Sequence, residues 1–187
     1  MRTQETRPRR ARRLMAALAG LALALPAAAH PGHGVETGFL AGLLHPWSGI
    51  DHLLALLAVG AWSRQQRHGE VLGPSFLVLM ALGASCAGAI ALPALETSIA
   101  ATVLLLGVLA AAAPRMPPQL AVLTVGACAF LHGLAHGREL AGMASGAGFV
   151  LASSLAMLAG AVPPARLRRA LGAAIGAAGL CLLAFAA

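Results

Sequence analysis

The sequence predicts an all-α integral membrane protein, a bundle of six transmembrane helices that follows a cleaved N-terminal signal peptide. Of its 187 residues, 59% are hydrophobic and only 10% are charged. A soluble domain of this length needs more polar surface than that to cover its core. The apolar residues also lie in long runs separated by short breaks, which is typical of membrane-spanning segments. Helices are expected because every backbone polar group in lipid needs an internal partner.

The first 29 residues have the pattern of a secretory signal peptide. A basic stretch at residues 7–13 precedes a short apolar run at residues 14–25, and small residues follow at 27–29. This order is typical of an exported chain that is cleaved after the small residues. Cleavage after Ala29 would leave residues 30–187 as the mature protein, with His30 at its N-terminus. The alternative is that this segment stays as an uncleaved first span.

Six apolar segments are predicted in the mature chain, which forms one transmembrane domain over residues 30–187. They cover residues 37–62, 71–92, 98–113, 119–137, 143–162 and 168–187, and each is near the length of about 20 residues that a bilayer requires. Recurrent pairs of glycines four residues apart favour close helix packing, within one chain or between copies in a homo-oligomer.

The arginines predict which way the spans face. The loops after the first, third and fifth segments, with their flanks, hold Arg64, Arg67, Arg115, Arg166, Arg168 and Arg169, whereas the other two loops hold only Arg138. The positive-inside rule places the arginine-rich loops in the cytoplasm. Both mature ends are therefore expected on the periplasmic side of a bacterial inner membrane. Because the positive charge is confined to the signal and these loops, nucleic-acid binding is not expected.

The first predicted span contains a polar cluster, His45-Pro46-Trp47-Ser48-Gly49-Ile50-Asp51-His52. His45 and His52 are two turns apart and lie on nearly one face of a helix. Pro46 has no backbone N–H, so the helix is expected to be kinked or broken there. Broken helices near the middle of a membrane are a recurring way to build ion sites in transporters.

The fourth predicted span ends in a second polar cluster, His132-Gly133-Leu134-Ala135-His136-Gly137-Arg138-Glu139. His132 and His136 are four residues apart, and Glu139 follows three residues later. If the helix continues, two imidazoles and one carboxylate share a face. That spacing suits two nitrogen ligands and one oxygen ligand on a single metal ion.

Placing these polar groups in a membrane costs free energy, which favours a functional interpretation. A charged residue such as Asp51 at the centre of a span costs about 2.5–3.5 kcal/mol on insertion scales. A lone membrane histidine is often structural, but two tight groups are harder to explain that way. His30 and His33, just before the first span, are further candidate ligands if cleavage frees the amine of His30; a solvated terminus is the alternative.

At these residues the chain resembles the HupE/UreJ family of nickel permeases. The family pattern H-P-x-x-G-x-D-H corresponds to residues 45–52, and the later pattern H-G-x-A-H-G-x-E corresponds to residues 132–139. The resemblance implies a six-span secondary transporter or facilitator that imports Ni²⁺ or Co²⁺ for the maturation of hydrogenase or urease. It implies no resident cofactor, because the metal is the cargo.

The expected mechanism is metal import through the histidines. Near the outer face, His132, His136 and His45 would replace the water ligands of Ni²⁺, Co²⁺ or Zn²⁺. Asp51 would offset the charge, and His52 would take part deeper in the membrane. Two alternatives stay open: a membrane-embedded zinc hydrolase with an activated water, and a metal sensor that binds without flux.

Overall fold

A computed structural model describes residues 36–137, 140–141 and 143–186. His30, His33, Glu139 and the predicted signal peptide lie outside these residues. The described part contains seven α-helices: α1 Phe39–Ser48, α2 Ile50–Ser63, α3 Leu72–Cys86, α4 Leu95–Ala112, α5 Pro118–His136, α6 Met143–Ala161 and α7 Ala165–Ala186. A single 3₁₀ turn, Gly69–Val71, precedes α3, and the two-residue strands β1 Glu36–Thr37 and β2 Leu140–Ala141 pair in parallel. The predicted all-α membrane fold is confirmed.

Five helical segments of the described chain are long and apolar enough to cross a membrane. They are Gly69–Cys86 and the helices α4, α5, α6 and α7. The second predicted span, 71–92, begins where α3 begins but was extended too far: α3 ends at Cys86 rather than near residue 92. The apolar residues beyond it are not helical up to α4, and Pro93 among them cannot continue a helix.

The first predicted span is two helices rather than one. Pro46 lies inside α1, and the chain breaks at Gly49, whose backbone is extended at φ −96° and ψ 107°. The expected position of the break at Pro46 is therefore corrected by three residues. Pro46 forgoes only the one bond that an N–H would have donated to the carbonyl four residues back, whereas glycine pays a large entropic cost for helical order.

Both halves of this broken span pack along α6, in the same direction. A Cβ on Gly42 of α1 would collide with the Ser145 carbonyl, and one on Gly60 of α2 would collide with that of Met157. The halves are 10 and 14 residues long, so end to end they extend for about 36 Å at about 1.5 Å per residue. That length suffices for one further crossing of a hydrocarbon core about 30 Å thick.

Glycines also allow close backbone contact in two further helix pairs. α3 and α5 run parallel, with Gly133 against the Met80 carbonyl, and α4 and α7 run antiparallel, with Gly107 against the backbone of Gly176. The predicted small-residue spacings at these positions therefore serve close backbone approach. The surface that faces outward is also apolar, as expected of a bundle in lipid; its exposed side chains include Leu40, Val78, Leu123 and Leu158.

One end of the bundle gathers most of the arginines in the described part of the chain. The indole of Trp62 and the amide of Gln66 both donate hydrogen bonds to the Pro114 carbonyl, at 3.4 and 2.8 Å. These bonds tie the end of α2 to the connection between α4 and α5. We call this the arginine end, defined by Arg64, Arg67, Arg115, Arg168 and Arg169.

Candidate metal centre

The two polar clusters of the sequence meet in the structure. His45 lies on α1, His52 on α2, and His132 and His136 on α5. His45 Nε2 is 3.2 Å from His136 Nδ1. The ring of His52 has its centroid 5.0 Å from that of His136 and 5.5 Å from that of His132. We call these four residues the histidine cluster.

Local structure explains how the cluster forms. His132 and His136 are one turn apart on α5, so their rings lie on the same face of the helix. The break at Gly49 divides the first span between the other two imidazoles, and His136 lies against that break: a Cβ on Gly49 would be 3.8 Å from His136 Cε1. A bulky side chain at position 49 would occupy the space beside this ring.

Three members of the cluster have the arrangement of metal ligands. His52, His132 and His136 each offer one nitrogen, and these nitrogens lie within 4.8 Å of one another. Zinc–nitrogen bonds are about 2.0–2.1 Å long, so two nitrogens on one ion can be no more than about 4.2 Å apart. A spacing within this limit would let all three imidazoles bind one ion.

The cluster is enclosed and contains ring nitrogens that no described residue satisfies. His52 and His132 have no exposed surface, and His136 and His45 are 4% and 6% exposed. Among the described residues, neither ring nitrogen of His52 has a hydrogen-bond partner, and nor does Nδ1 of His132. An unpaired polar group in such surroundings costs about 1–3 kcal/mol. A bound cation would supply the missing partner.

Thr102 of α4 fixes the tautomer of His132. Its hydroxyl donates to the Ile99 carbonyl at 2.7 Å and lies 2.9 Å from His132 Nε2. Because the hydroxyl hydrogen is already committed, Nε2–H donates to the threonine oxygen. Nδ1 then keeps its lone pair and is the nitrogen available to a metal. Such outer partners orient metal-binding histidines in many proteins.

Two phenylalanines close the sides of the cluster. The ring of Phe149 from α6 stacks on His52 with centroids 5.1 Å apart, and it lies 5.6 Å from the ring of His45. Phe76 from α3 lies 6.5 Å from His52 and 6.3 Å from His132. These apolar rings limit rotation of the imidazoles and exclude water, which strengthens electrostatic interactions inside the site.

Asp51 lies beside the three-nitrogen group rather than in it. Its carboxylate accepts a hydrogen bond from the backbone N–H of His52 at 2.7 Å, and it occupies the first turn of α2. The positive end of a helix dipole stabilises an acidic group there. The position is compatible with its expected part in offsetting the charge of a cation.

The structure also changes the predicted order of the ligands. His52 contacts His132 and His136 directly instead of forming a separate, deeper step, and His45 reaches the group through His136. Thr102, Phe149 and Phe76 were not predicted from the sequence. The sequence marked them only weakly: Thr102 is a threonine inside a predicted span, and Phe149 and Phe76 are two of only five phenylalanines in the chain.

Comparison with known proteins agrees with these features. The family model for "HupE / UreJ protein" matches residues 17–187. Protein HupE of Rhizobium leguminosarum bv. viciae is 45% identical over 133 residues, which cover 69% of this chain and 70% of that protein. No solved structure matches the chain. The extent of the family match and the identity to this relative show that the chain belongs to the HupE/UreJ family.

Proposed function

We propose that the protein carries a divalent transition metal, with nickel as the first candidate, across the bacterial inner membrane through the histidine cluster. The observation that carries this proposal is the group of three buried imidazole nitrogens within 4.8 Å of one another. Their surroundings are apolar, and His52 and His132 have ring nitrogens without hydrogen-bond partners among the described residues. Family membership supports the same reading. In this proposal the metal is cargo for hydrogenase or urease maturation, and the protein is not an enzyme.

The ligand set suits Ni²⁺, Co²⁺ and Zn²⁺ and disfavours Ca²⁺ and Mg²⁺, which prefer oxygen ligands. Imidazoles alone do not select nickel, because affinity for such sites generally peaks at Cu²⁺. A permeation site must also release its ion.

The proposed direction is from the end of the bundle near the histidine cluster to the arginine end. The positive-inside rule makes the arginine end cytoplasmic. Between the two, α2 contributes fully buried Leu56, Val59 and Trp62. Ions do not pass through closely packed apolar side chains, so the proposal requires the helices to rearrange around the cluster, as in transporters that alternate access around a fixed site.

Uptake of radiolabelled nickel tests the proposal, in cells that lack their own nickel importers. We expect uptake by the wild type and its loss in His52→Ala and His132→Ala at equal membrane abundance. His68→Ala is the matched control, because His68 is an exposed loop histidine paired with Glu70. Competition with unlabelled cobalt and zinc ranks the metals.

The outcomes separate the proposal from its alternatives. Binding of nickel to the purified protein without uptake in cells would support a sensor. No uptake of any metal above background, from well-inserted protein, would overturn the transport proposal. In that case, a zinc-dependent hydrolase would be tested by assaying the zinc-loaded protein.

A further inference from the structure

The arginine end contains a pocket that the proposed transport does not use. We infer that this pocket binds the phosphate group of an anionic ligand. It is lined by five arginines and lies at the opposite end of the bundle from the outer end of α5, where the histidine cluster is found. The inference is independent of the metal proposal, because it uses none of the same residues.

Three separate parts of the chain supply the arginines. Arg64 and Arg67 follow α2, Arg115 lies between α4 and α5, and Arg168 and Arg169 lie near the start of α7. The pocket has a volume of about 330 Å³, within the range of roughly 300–1,000 Å³ for small-ligand sites. Groups that are far apart in sequence therefore converge on one cavity.

The charge in this pocket is not balanced by the described residues that line it. None of those residues is an aspartate or glutamate. The nearest described carboxylate in sequence, Glu70, lies 3.6 Å from His68 and pairs with it instead. Five like charges around one cavity repel one another, and a bound anion would relieve that repulsion.

The positive-inside rule explains arginines at this end but not their convergence. That rule depends on the number of basic residues near the ends of spans. It is satisfied whatever the direction in which their side chains point. Arg166 shows the difference: it is exposed in the first turn of α7, beside Arg168 and Arg169, yet does not line the pocket. It contributes equally to topology and provides a matched control.

Arg168 carries the second observation. One of its terminal nitrogens, Nη1, donates to the carbonyl oxygens of Ala161 and Pro163. These bonds hold the guanidinium in place, while its Nε is buried and has no hydrogen-bond partner in the described part of the chain. A guanidinium that is fixed on one side and unsatisfied on another is suited to charge-assisted hydrogen bonds with an oxyanion.

The backbone adds to the positive potential. Ala165, the first residue of α7, lines the pocket, so the N-terminus of a 22-residue helix faces it. Helix N-termini attract anions through their exposed N–H groups and their dipole. Together with planar guanidinium groups, which match phosphate oxygens two at a time, this favours phosphate over a monovalent halide.

Two sources could supply the phosphate group. Helix ends lie at the depth of lipid headgroups, and anionic headgroups attract basic clusters there. Soluble phosphate or pyrophosphate could also enter from the aqueous side. The chemistry recognised is the same, and the experiment separates the sources.

The test uses the full chain in lipid nanodiscs, with thermal unfolding as the measure of binding. One arm compares phosphatidylcholine with a mixture containing phosphatidylglycerol, and the other titrates inorganic phosphate and pyrophosphate into phosphatidylcholine discs. The variants are Arg168→Gln, Arg168→Lys, Arg115→Gln and the control Arg166→Gln. We expect a ligand-dependent rise in unfolding temperature for the wild type and the control. Affinity should fall by at least about tenfold in Arg168→Gln, since it loses hydrogen bonds to a charged group, and less in Arg168→Lys.

Each result decides the inference. A rise with phosphatidylglycerol identifies a lipid headgroup as the ligand, and a rise with phosphate or pyrophosphate identifies a soluble one. Equal loss in Arg166→Gln and Arg115→Gln would overturn the inference, because total charge alone would then explain the effect. Absence of any rise in the wild type in both arms would overturn it as well. If Arg168→Gln does not insert, Arg115→Gln and Arg168→Lys decide.

Discussion

Replacing Thr102 by valine tests whether this residue prepares His132 for a metal. Valine has nearly the shape of threonine but cannot accept a hydrogen bond. His132 Nε2–H, which now bonds to the threonine oxygen at 2.9 Å, would be left buried and unpaired. Nothing would then hold the ring proton on Nε2, and a ring with its proton on Nδ1 must lose that proton before that nitrogen can bind a metal.

The expected size of the effect follows from the bond that is lost. A buried donor without a partner costs about 1–3 kcal/mol, so the variant should be less stable than the wild type. Loss of an outer partner of a metal ligand typically weakens metal affinity about 10–100-fold, which corresponds to roughly 1.4–2.7 kcal/mol. Thr102→Ser keeps the hydroxyl and should stay close to the wild type.

Titration calorimetry of the purified protein with nickel measures this effect directly, with His132→Ala as the reference for full loss of the ligand. The reasoning would be refuted if Thr102→Val bound nickel as tightly as Thr102→Ser while His132→Ala did not bind. That result would leave Thr102 as a packing residue. A weaker Thr102→Val that Thr102→Ser restores would establish it as a positioning residue.

Three further predictions concern packing, charge and backbone. Gly148→Ala would collide with the backbone of α1, so it should destabilise the protein by about 1–3 kcal/mol and weaken nickel binding. Gly146→Ala, with open space around it, is the control and should do neither. Thermal unfolding and titration calorimetry measure both effects. Asp51→Asn keeps an oxygen acceptor but removes the charge. Nickel affinity measured by titration should fall on the order of tenfold or more, because Coulomb energies are large near buried sites. Unchanged affinity would show that Asp51 has no part in the site. Ala113 has φ 54°, a left-handed conformation that costs an L-residue about 1–2 kcal/mol. Ala113→Gly should therefore raise the unfolding temperature. Ala112→Gly, at the end of α4, should lower it.

The helical crossings could largely be read from the sequence, because the bilayer allows few alternatives for apolar segments of this length. The boundaries were less readable. Residues after Cys86 are as apolar as those before it, and hydropathy does not distinguish a helix from a turn at the membrane surface. The break at Gly49 was anticipated at Pro46, since proline is the stronger helix-breaking signal in isolation.

The histidines of the site were identifiable because polar groups in a membrane are costly and therefore conspicuous. Their mutual arrangement could not be predicted from the sequence. Spacing along one helix relates His132 to His136, but the approach of His52 to both depends on how the surrounding helices position α2 and α5. Thr102, Phe149 and Phe76 belong to three other helices, and nothing in their local sequence indicates which residues they contact.

The break at Gly49 connects the fold to the proposed transport. An uninterrupted helix would place His45 and His52 about 10 Å apart along its axis, with no helix end between them. The break instead begins α2 beside His136 and places Asp51 in its first turn. A helix N-terminus alone would repel a divalent cation, and the carboxylate offsets that repulsion without joining the three-nitrogen group.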